Sequence, residues 1–331
     1  MFEQPVRGSS QALTTTISNR RIYVWMSQLP RLGPVQETMT IKEKRRLNSR
    51  APISRLPPEI LSLIFSNARD DHLAALREGF NLPFHNVGSE LWKGFTHVCY
   101  RWREVALCTP TLWTRIVSSP NNNKWTQEML LRSKRCLLTC IIEGCFDSCD
   151  SANGRTELIK WLGQCHTLSM RGIPRFDLHK YWSAQVDAPQ LEFLVIQVNE
   201  GNTSSEAPFI FSDSHLHAPS LRSLEIENCD VDWKSGFLTS RLTHLALYDL
   251  PVDSRLACSE FIKVLAKMPF LEDIYLSFDY IRDEDPDVSP PSDNIPTRLY
   301  WPHLQRLDII DDIVNVARFS NNITLPRPSC I

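Results

Sequence analysis

The sequence predicts an α plus α/β chain, in which a helical segment near the N-terminus precedes an array of short parallel strands. Three observations carry that reading. Residues 53–113 contain two amphipathic helical patterns, ISRLPPEILSLIF and HVCYRWREVALCTPTLW, with a polar stretch between them. Further on, one apolar motif recurs five times: Leu191-x-x-Leu194-x-Ile196, Leu221-x-x-Leu224-x-Ile226, Leu242-x-x-Leu245-x-Leu247, Leu271-x-x-Ile274-x-Leu276 and Leu304-x-x-Leu307-x-Ile309. Pro189, Pro219, Pro269 and Pro302 each stand two residues before a motif leucine.

In chain order, residues 1–52 read as a disordered or weakly structured basic leader, rich in Ser, Thr, Gln and Arg and without a sustained apolar period. Residues 1–55 hold ten of the 36 Lys and Arg but three of the 38 acids, so the remaining chain is acidic. Residues 41–47, IKEKRRL, suit a turn or two of helix. A nuclear-import or nucleic-acid patch is one reading of that stretch; a solvated basic helix is favoured, because no aromatic residues interleave with the charges.

The helical domain is placed at residues 53–119. Pro57 and Pro58 suit a helix start, where the fixed φ fits and the missing N–H is not needed, and Glu59 faces the positive end of the helix dipole. Leu56, Ile60 and Ile64 form one row, Pro57, Leu61 and Phe65 a second, and Leu63 flanks them. In the second pattern Val98, Trp102, Val105 and Ala106 share a face opposite Arg101, Arg103 and Glu104, and Thr109 to Thr111 stop the helix. Residues 67–96 form a polar insertion in which Leu73, Leu76 and Phe80 suit a short helix and Leu91, Trp92 and Phe95 return to the core.

The Leu-Pro-Pro-Glu at 56–59, the Val-Cys-x-x-Trp-Arg at 98–103 and the Thr-Pro-x-Leu-Trp at 109–113 resemble an F-box, in the F-box-like form found in fungal proteins. The resemblance implies a module that binds the Skp adaptor of a cullin-RING ubiquitin ligase. Carried over by position, the adaptor-facing residues are Leu56, Pro57, Ile60, Leu61, Ile64, Val98, Cys99 and Trp102. A box of about 60 residues buries little surface by itself, which suits a fold completed by a partner. The long insertion departs from the family pattern, so adaptor binding requires residues 67–96 to loop out and let the two helical patterns meet.

Residues 120–331 carry the repeats. A helix is expected over residues 125–133, with Trp125, Met129 and Leu130 facing inward, then two degenerate motif copies, Arg135-x-x-Leu138-x-Cys140 and Cys165-x-x-Leu168-x-Met170. Motif starts are spaced by 21 to 33 residues, which overlaps and slightly exceeds the usual range of the leucine-rich repeat. Such a solenoid runs a short parallel strand through each motif on its concave side and places helices and loops, here residues 157–162 and 260–268, on its convex side. The prolines are read as blocks that start each extended segment. The organisation resembles F-box proteins with leucine-rich repeats over about residues 53–310. Side chains flanking the buried pair of each strand then face outward, which gives a candidate target surface of Glu225, Glu227, His244, Tyr248, Asp273, Tyr275, Arg306 and Asp308. Its carboxylates and tyrosines suit a basic protein segment.

The function expected is a non-catalytic substrate receptor of a Skp-cullin-F-box ligase; the alternative is a leucine-rich-repeat scaffold outside ubiquitination. No Gly-rich phosphate loop or Gly-x-Ser-x-Gly appears, and 11 glycines are few for folds that cradle nucleotides. His215 and His217 read as loop residues, and Cys136, Cys140, Cys145 and Cys149 lack the close pairs of a zinc site, so no metal or cofactor is expected. The ten cysteines are read as reduced thiols of a cytoplasmic or nuclear protein, with neither nucleic acid nor membrane as partner. After residue 310, either the short pattern at 313–319 caps the repeats or further repeats belong there.

Overall fold

The structure is a computed structural model and describes residues 39–77, 94–118, 123–143, 161–174, 178, 185–199, 210–212, 215–238, 241–251, 254–277, 298–311 and 313–325. The chain divides into two compact units, Met1–Leu56 and Pro57–Ile331. In the first, α1 spans Ile41–Arg50, longer than the turn or two expected. The Thr40 hydroxyl accepts from the Glu43 amide at 3.3 Å, and the Glu43 carboxylate accepts from the Thr40 amide at 2.8 Å, so two amides that a helix start leaves unpaired are satisfied. The bonds from Thr40 hold the Glu43 carboxyl below the usual range. A 3₁₀ turn, Pro52–Arg55, follows, and the Ser54 hydroxyl donates to the Asn48 carbonyl at 2.6 Å.

The second unit opens with α2, Pro58–Arg77. It starts where the prolines indicate, with the Leu61 amide donating to the Pro57 carbonyl at 3.1 Å. It continues to Arg77 through residues expected to leave the helical path, because Ala68, Arg69, Leu73, Ala74, Ala75 and Leu76 favour helix and neither Gly nor Pro intervenes before Gly79. Residues 78–93, with Phe80, Leu91 and Trp92, lie outside the described residues. The second helical pattern is two helices, α3 (Phe95–Val98) and α4 (Tyr100–Leu107), separated by Cys99 in extended backbone at φ −157°, ψ 168°. That break interrupts the four-residue repeat joining Val98 to Trp102. Val105 and Ala106 are buried as the pattern requires, whereas Val98 is 57% exposed. A 3₁₀ turn, Pro110–Trp113, then delivers Leu112 and Trp113 to the core.

The remainder alternates short strands with few helices: β1 (Arg115–Ser118), α5 (Asn123–Ser133), β2 (Leu138–Glu143), β3 (Cys165–Pro174), β4 (Val186–Asp187), β5 (Phe193–Asn199), β6 (Ile210–Phe211), β7 (Leu216–His217), β8 (Ser223–Glu227), β9 (Asp230–Val231), β10 (His244–Tyr248), α6 (Cys258–Leu265), β11 (Asp273–Ser277), β12 (Leu299–Tyr300), β13 (Arg306–Ile310), α7 (Ile313–Ser320) and β14 (Ile323–Thr324). β1, β2, β3, β5, β8, β10, β11 and β13 form one eight-stranded sheet in that order. Every pairing in it is parallel, so the architecture is mixed α/β around a parallel sheet whose strand order follows the chain. Two-residue parallel pairs, β4 with β7, β6 with β9 and β12 with β14, bridge the connecting segments.

The register explains the motif. Its second apolar position is one ladder across the sheet, Ile116, Cys140, Leu168, Leu194, Leu224, Leu245, Ile274 and Leu307, and its third is another, from Ile142 and Met170 to Leu276 and Ile309. Parallel pairing places like positions side by side, and the two-residue period turns both ladders to the same face. Both are buried as far as β11 and half-buried on the edge strand β13. The degenerate copy assigned to Arg135, Leu138 and Cys140 is two residues out of register: Cys140 and Ile142 occupy the two ladders. A shift of two preserves which side chains face inward, so alternation alone did not expose it. β1, the eighth strand, carries no motif.

The recurrent prolines open turns. Leu191, Leu221 and Leu304 donate to the carbonyls of Ala188, Ala218 and Trp301 at 3.1, 3.2 and 3.3 Å, which puts Pro189, Pro219 and Pro302 at the position of a β-turn where a fixed φ near −65° fits. Of the four, only Pro269 comes soon after a helix, four residues past the end of α6 at Leu265, so blocking a helix is the lesser role. Packed on the core, α6 buries Phe261, Ile262, Val264 and Leu265, and the Phe261 ring lies 5.6 Å from Trp233 and 6.0 Å from Phe319 of α7. Cys140 and Cys165 are buried thiols; a hydrogen bond with Cys165, then burial, pushes the Cys140 thiol well up, away from reactive thiolate.

The ladder makes a quantitative expectation. Leu245→Ala, at a buried position of β10, lowers unfolding free energy by about 3 kcal/mol, whereas Ile310→Ala, 68% exposed on β13, costs under about 0.5 kcal/mol in urea denaturation. Equal losses at the two sites would contradict the assignment of inward and outward faces.

Candidate functional site

Two surfaces of the second unit expose most of the side chains that the sequence singled out. The first lies on α2, α3 and α4. Leu61 and Phe65 point inward from α2 and are fully buried, and Phe65 stacks on Phe95 at 4.8 Å and packs against Trp102 at 5.0 Å. Those three rings bring the first and second helical patterns together across the long insertion. The guanidinium of Arg69 adds a second tie, donating to the Thr111 carbonyl while pairing with Asp70 at 2.8 Å. Because Phe65 fixes the inward side, Ile60, Leu63 and Ile64 turn outward, and all three remain more than a third exposed, as do Val98 and Tyr100.

Of the residues assigned to this surface, Pro57, Ile60, Ile64 and Val98 are exposed, and Cys99 and Trp102 are half-buried. Leu56 closes the first unit, half-buried, with its amide on the Ile53 carbonyl at 3.2 Å. Leu61 has no exposed surface and belongs to the core, because the helix turns its row with Phe65 toward Trp102. Leu63, placed by the sequence beside the two rows but not among the adaptor-facing residues, and Tyr100, not singled out, are also exposed; Leu63 is three residues from Ile60, a spacing that shares a helical face.

The second surface is the outward face of the strands. Three side-chain rows cross it at like register: Thr167, Phe193, Ser223, His244, Asp273 and Arg306; Ser169, Val195, Glu225, Ala246, Tyr275 and Asp308; Arg171, Gln197, Glu227, Tyr248, Ser277 and Ile310. All eight residues assigned from the motif lie in these rows, half-buried except for the exposed Arg306 and Asp308. Arg171 was missed, although applying the flanking rule to the copy at Cys165 yields it directly.

Charge is distributed unevenly along the rows. His244 holds the Asp273 carboxylate with Nε2 at 2.7 Å, and its Nδ1 lies 2.7 Å from the Thr243 hydroxyl, so its ring is clamped at both nitrogens. Arg306 donates to the Tyr275 hydroxyl, lies 5.5 Å from the Tyr275 ring centre and approaches Asp308 at 3.8 Å. The Tyr275 bond and the neighbouring acids hold its guanidinium firmly charged. Glu225 differs: burial pushes its carboxyl above the usual range, Arg171 opposes that, and Glu227 adds to it. The Tyr248 phenol is pushed up by burial and then by Glu225, Tyr275, Glu227 and Asp308.

The chain matches no family model, no curated protein and no solved structure. Function is therefore argued from the two surfaces themselves. One is apolar and borne on helices; the other is acidic, aromatic and borne on adjacent strands. Both suit binding of macromolecular partners.

The raised Glu225 carboxyl has a stability consequence with a definite sign. A carboxyl whose folded pKa lies above its unfolded value contributes its stability below the unfolded value and loses it as pH rises through the folded one. Glu225→Gln therefore raises Tm at pH 7, and the gain disappears as pH falls below the ordinary carboxylate value of 4.5. Thermal melts at pH 7.5 and 3.5 check this; a lower Tm for the variant at pH 7.5 would contradict it.

Proposed function

We propose that this chain is the substrate-recognition subunit of a Skp-cullin-F-box type ubiquitin ligase, with residues 53–113 as an F-box-like module for the adaptor and the strand array as a leucine-rich-repeat solenoid for the target. One observation carries the reading: Ile60, Leu63, Ile64, Val98 and Tyr100 stay exposed on three helices that the Phe65, Phe95 and Trp102 rings lock together. Large apolar side chains held outward on a packed frame suit an interface, since full burial of such a side chain is worth about 1.5–3 kcal/mol and roughly half of each still lies in water. The motifs that resemble the F-box flank this surface at both ends.

In this reading the chain does no chemistry. It holds a target beside a recruited conjugating enzyme, so rate enhancement comes from effective concentration of target lysines. The reading places it in the cytoplasm or nucleus, without metal or cofactor. A burial fact favours the alternative, a repeat scaffold outside ubiquitination: Leu61, one of the eight positions carried over from the family, faces the core.

Co-expression with a Skp-type adaptor separates the two. The wild-type chain recovers the adaptor, and Ile64→Lys with Val98→Lys reduces recovery at least about tenfold, as expected for charge placed among interface residues. Both positions are exposed, so the urea midpoint stays within error of wild type. No recovery by the wild type, or undiminished recovery by the variant, would leave the scaffold reading standing.

A further inference from the structure

The middle row of the strand face has a gap. Between Glu225 on β8 and Tyr275 on β11 stands Ala246 on β10, whose side chain is a single carbon. Strands lie about 4.8 Å apart, so Glu225 and Tyr275 are separated by roughly 10 Å at the backbone, with nothing taller than a methyl group between them in the row. Along β10 the gap is bounded by His244 and Tyr248, the next outward residues on either side. The Asp273 and Thr243 contacts hold His244 as a wall.

The walls are mainly acidic and aromatic, with Arg171 acting on Glu225 from two strands away and His244 already held by Asp273. Among the described residues Glu225 makes no hydrogen bond and no ion pair, although it is half-buried and has Glu227 two residues along the strand. A partly desolvated carboxylate without a partner is costly, and a cation brought to it recovers that cost. Tyr248 and Tyr275 supply ring faces and phenol oxygens beside it, and Asp308 continues the negative field past Tyr275. Arg306 already shows how this face treats a cation: reaching from β13, which flanks β11 opposite β10, its guanidinium sits over Tyr275 and donates to its hydroxyl.

We propose that the gap over Ala246 is a seat for one arginine or lysine side chain of the target, with its aliphatic stem on Ala246 between Tyr248 and Tyr275 and its charged head on the Glu225 carboxylate. This rests on the reading of the strand face as the target surface and narrows it from a basic segment to one cationic side chain at a defined place. Glu227 reinforces the field, and Arg306 bars the far side, so a second cation is not accommodated next to the first.

The test pans a random dodecapeptide phage library on the full-length wild-type chain, on Ala246→Arg, which fills the gap with a cation of its own, and on Glu225→Gln. Wild type enriches peptides sharing an Arg or Lys; the leading peptide, made synthetically, loses at least about tenfold in affinity when that residue becomes Gln. The same peptide binds Ala246→Arg at least about thirtyfold and Glu225→Gln about tenfold more weakly, with circular dichroism and urea midpoints showing both variants folded. Enrichment of peptides without a shared cation, enrichment of none, or equal binding to Ala246→Arg overturns the proposal. Those results leave adaptor recovery untouched, whereas failure of the ligase reading shows as lost adaptor recovery with peptide binding intact.

Discussion

The in-register stacking of like positions across eight parallel strands is the constraint on which the second unit rests. A parallel pair has no tight hairpin to fix its register, so each strand must be placed by its own side chains. Here the placement comes from two apolar ladders that cross the sheet from β1 or β2 to β13. A slip of one residue on any strand would expose its ladder residues and bury their polar neighbours. Turns reinforce the registration: the prolines before β5, β8 and β13 enter the strands at one phase. Backbone carbonyls do likewise, since Glu192, Arg222, Thr243 and Glu272 each accept two consecutive amides from the next strand.

The same constraint accounts for how the helical segment joins the strands. Trp113 is fully buried, donates its indole N–H to the Ala106 carbonyl at 2.9 Å, and carries the Arg132 guanidinium 4.3 Å above its ring. It is held from α4 on one side and α5 on the other, and two residues later the chain enters β1. The helical segment thereby becomes the first layer of the strand array instead of an appendage. The apolar face on α2 to α4 is tied to the strand array through these contacts, and the close packing of Phe65, Phe95 and Trp102 beneath it leaves its outward side chains no core to enter.

Much of this was legible in the sequence where chemistry and period agree. Leu194, Leu224, Leu245 and Ile274 announced their strands because one apolar spacing returned at like phase. Legibility failed where a period was extrapolated through a break. Val98 and Trp102 fit a helical face on paper, yet the extended Cys99 sets them on different helices and leaves Val98 in water. Leu61 belongs to a wide stripe, and a stripe does not say which row turns inward; the stack on Phe95 and Trp102 decides it. β1 has too few residues for a period, so pairing with β2 alone defines it. On the outward face the sequence identified the residues but not their grouping, since neighbours across a sheet are set by register.

That grouping separates the strand face from a merely solvated surface. Solvated faces settle their charges locally, as Arg132 does with Glu128 at 2.6 Å on α5 and His244 does with Asp273 across two strands. Glu225 is more enclosed than those side chains need to be and remains unsettled, with a like charge beside it and Arg171 acting only from a distance. Enclosure without a partner opposes folding at neutral pH. The side chains around it are otherwise closely ordered: His244 is clamped, Arg306 is stacked, and Ala246 leaves the middle row low between Glu225 and Tyr275. In the proposed reading the frame is ordered in advance, so the cost of arranging it is met in folding and a target cation would meet the Glu225 and Glu227 carboxylates with Arg171 as the opposing charge.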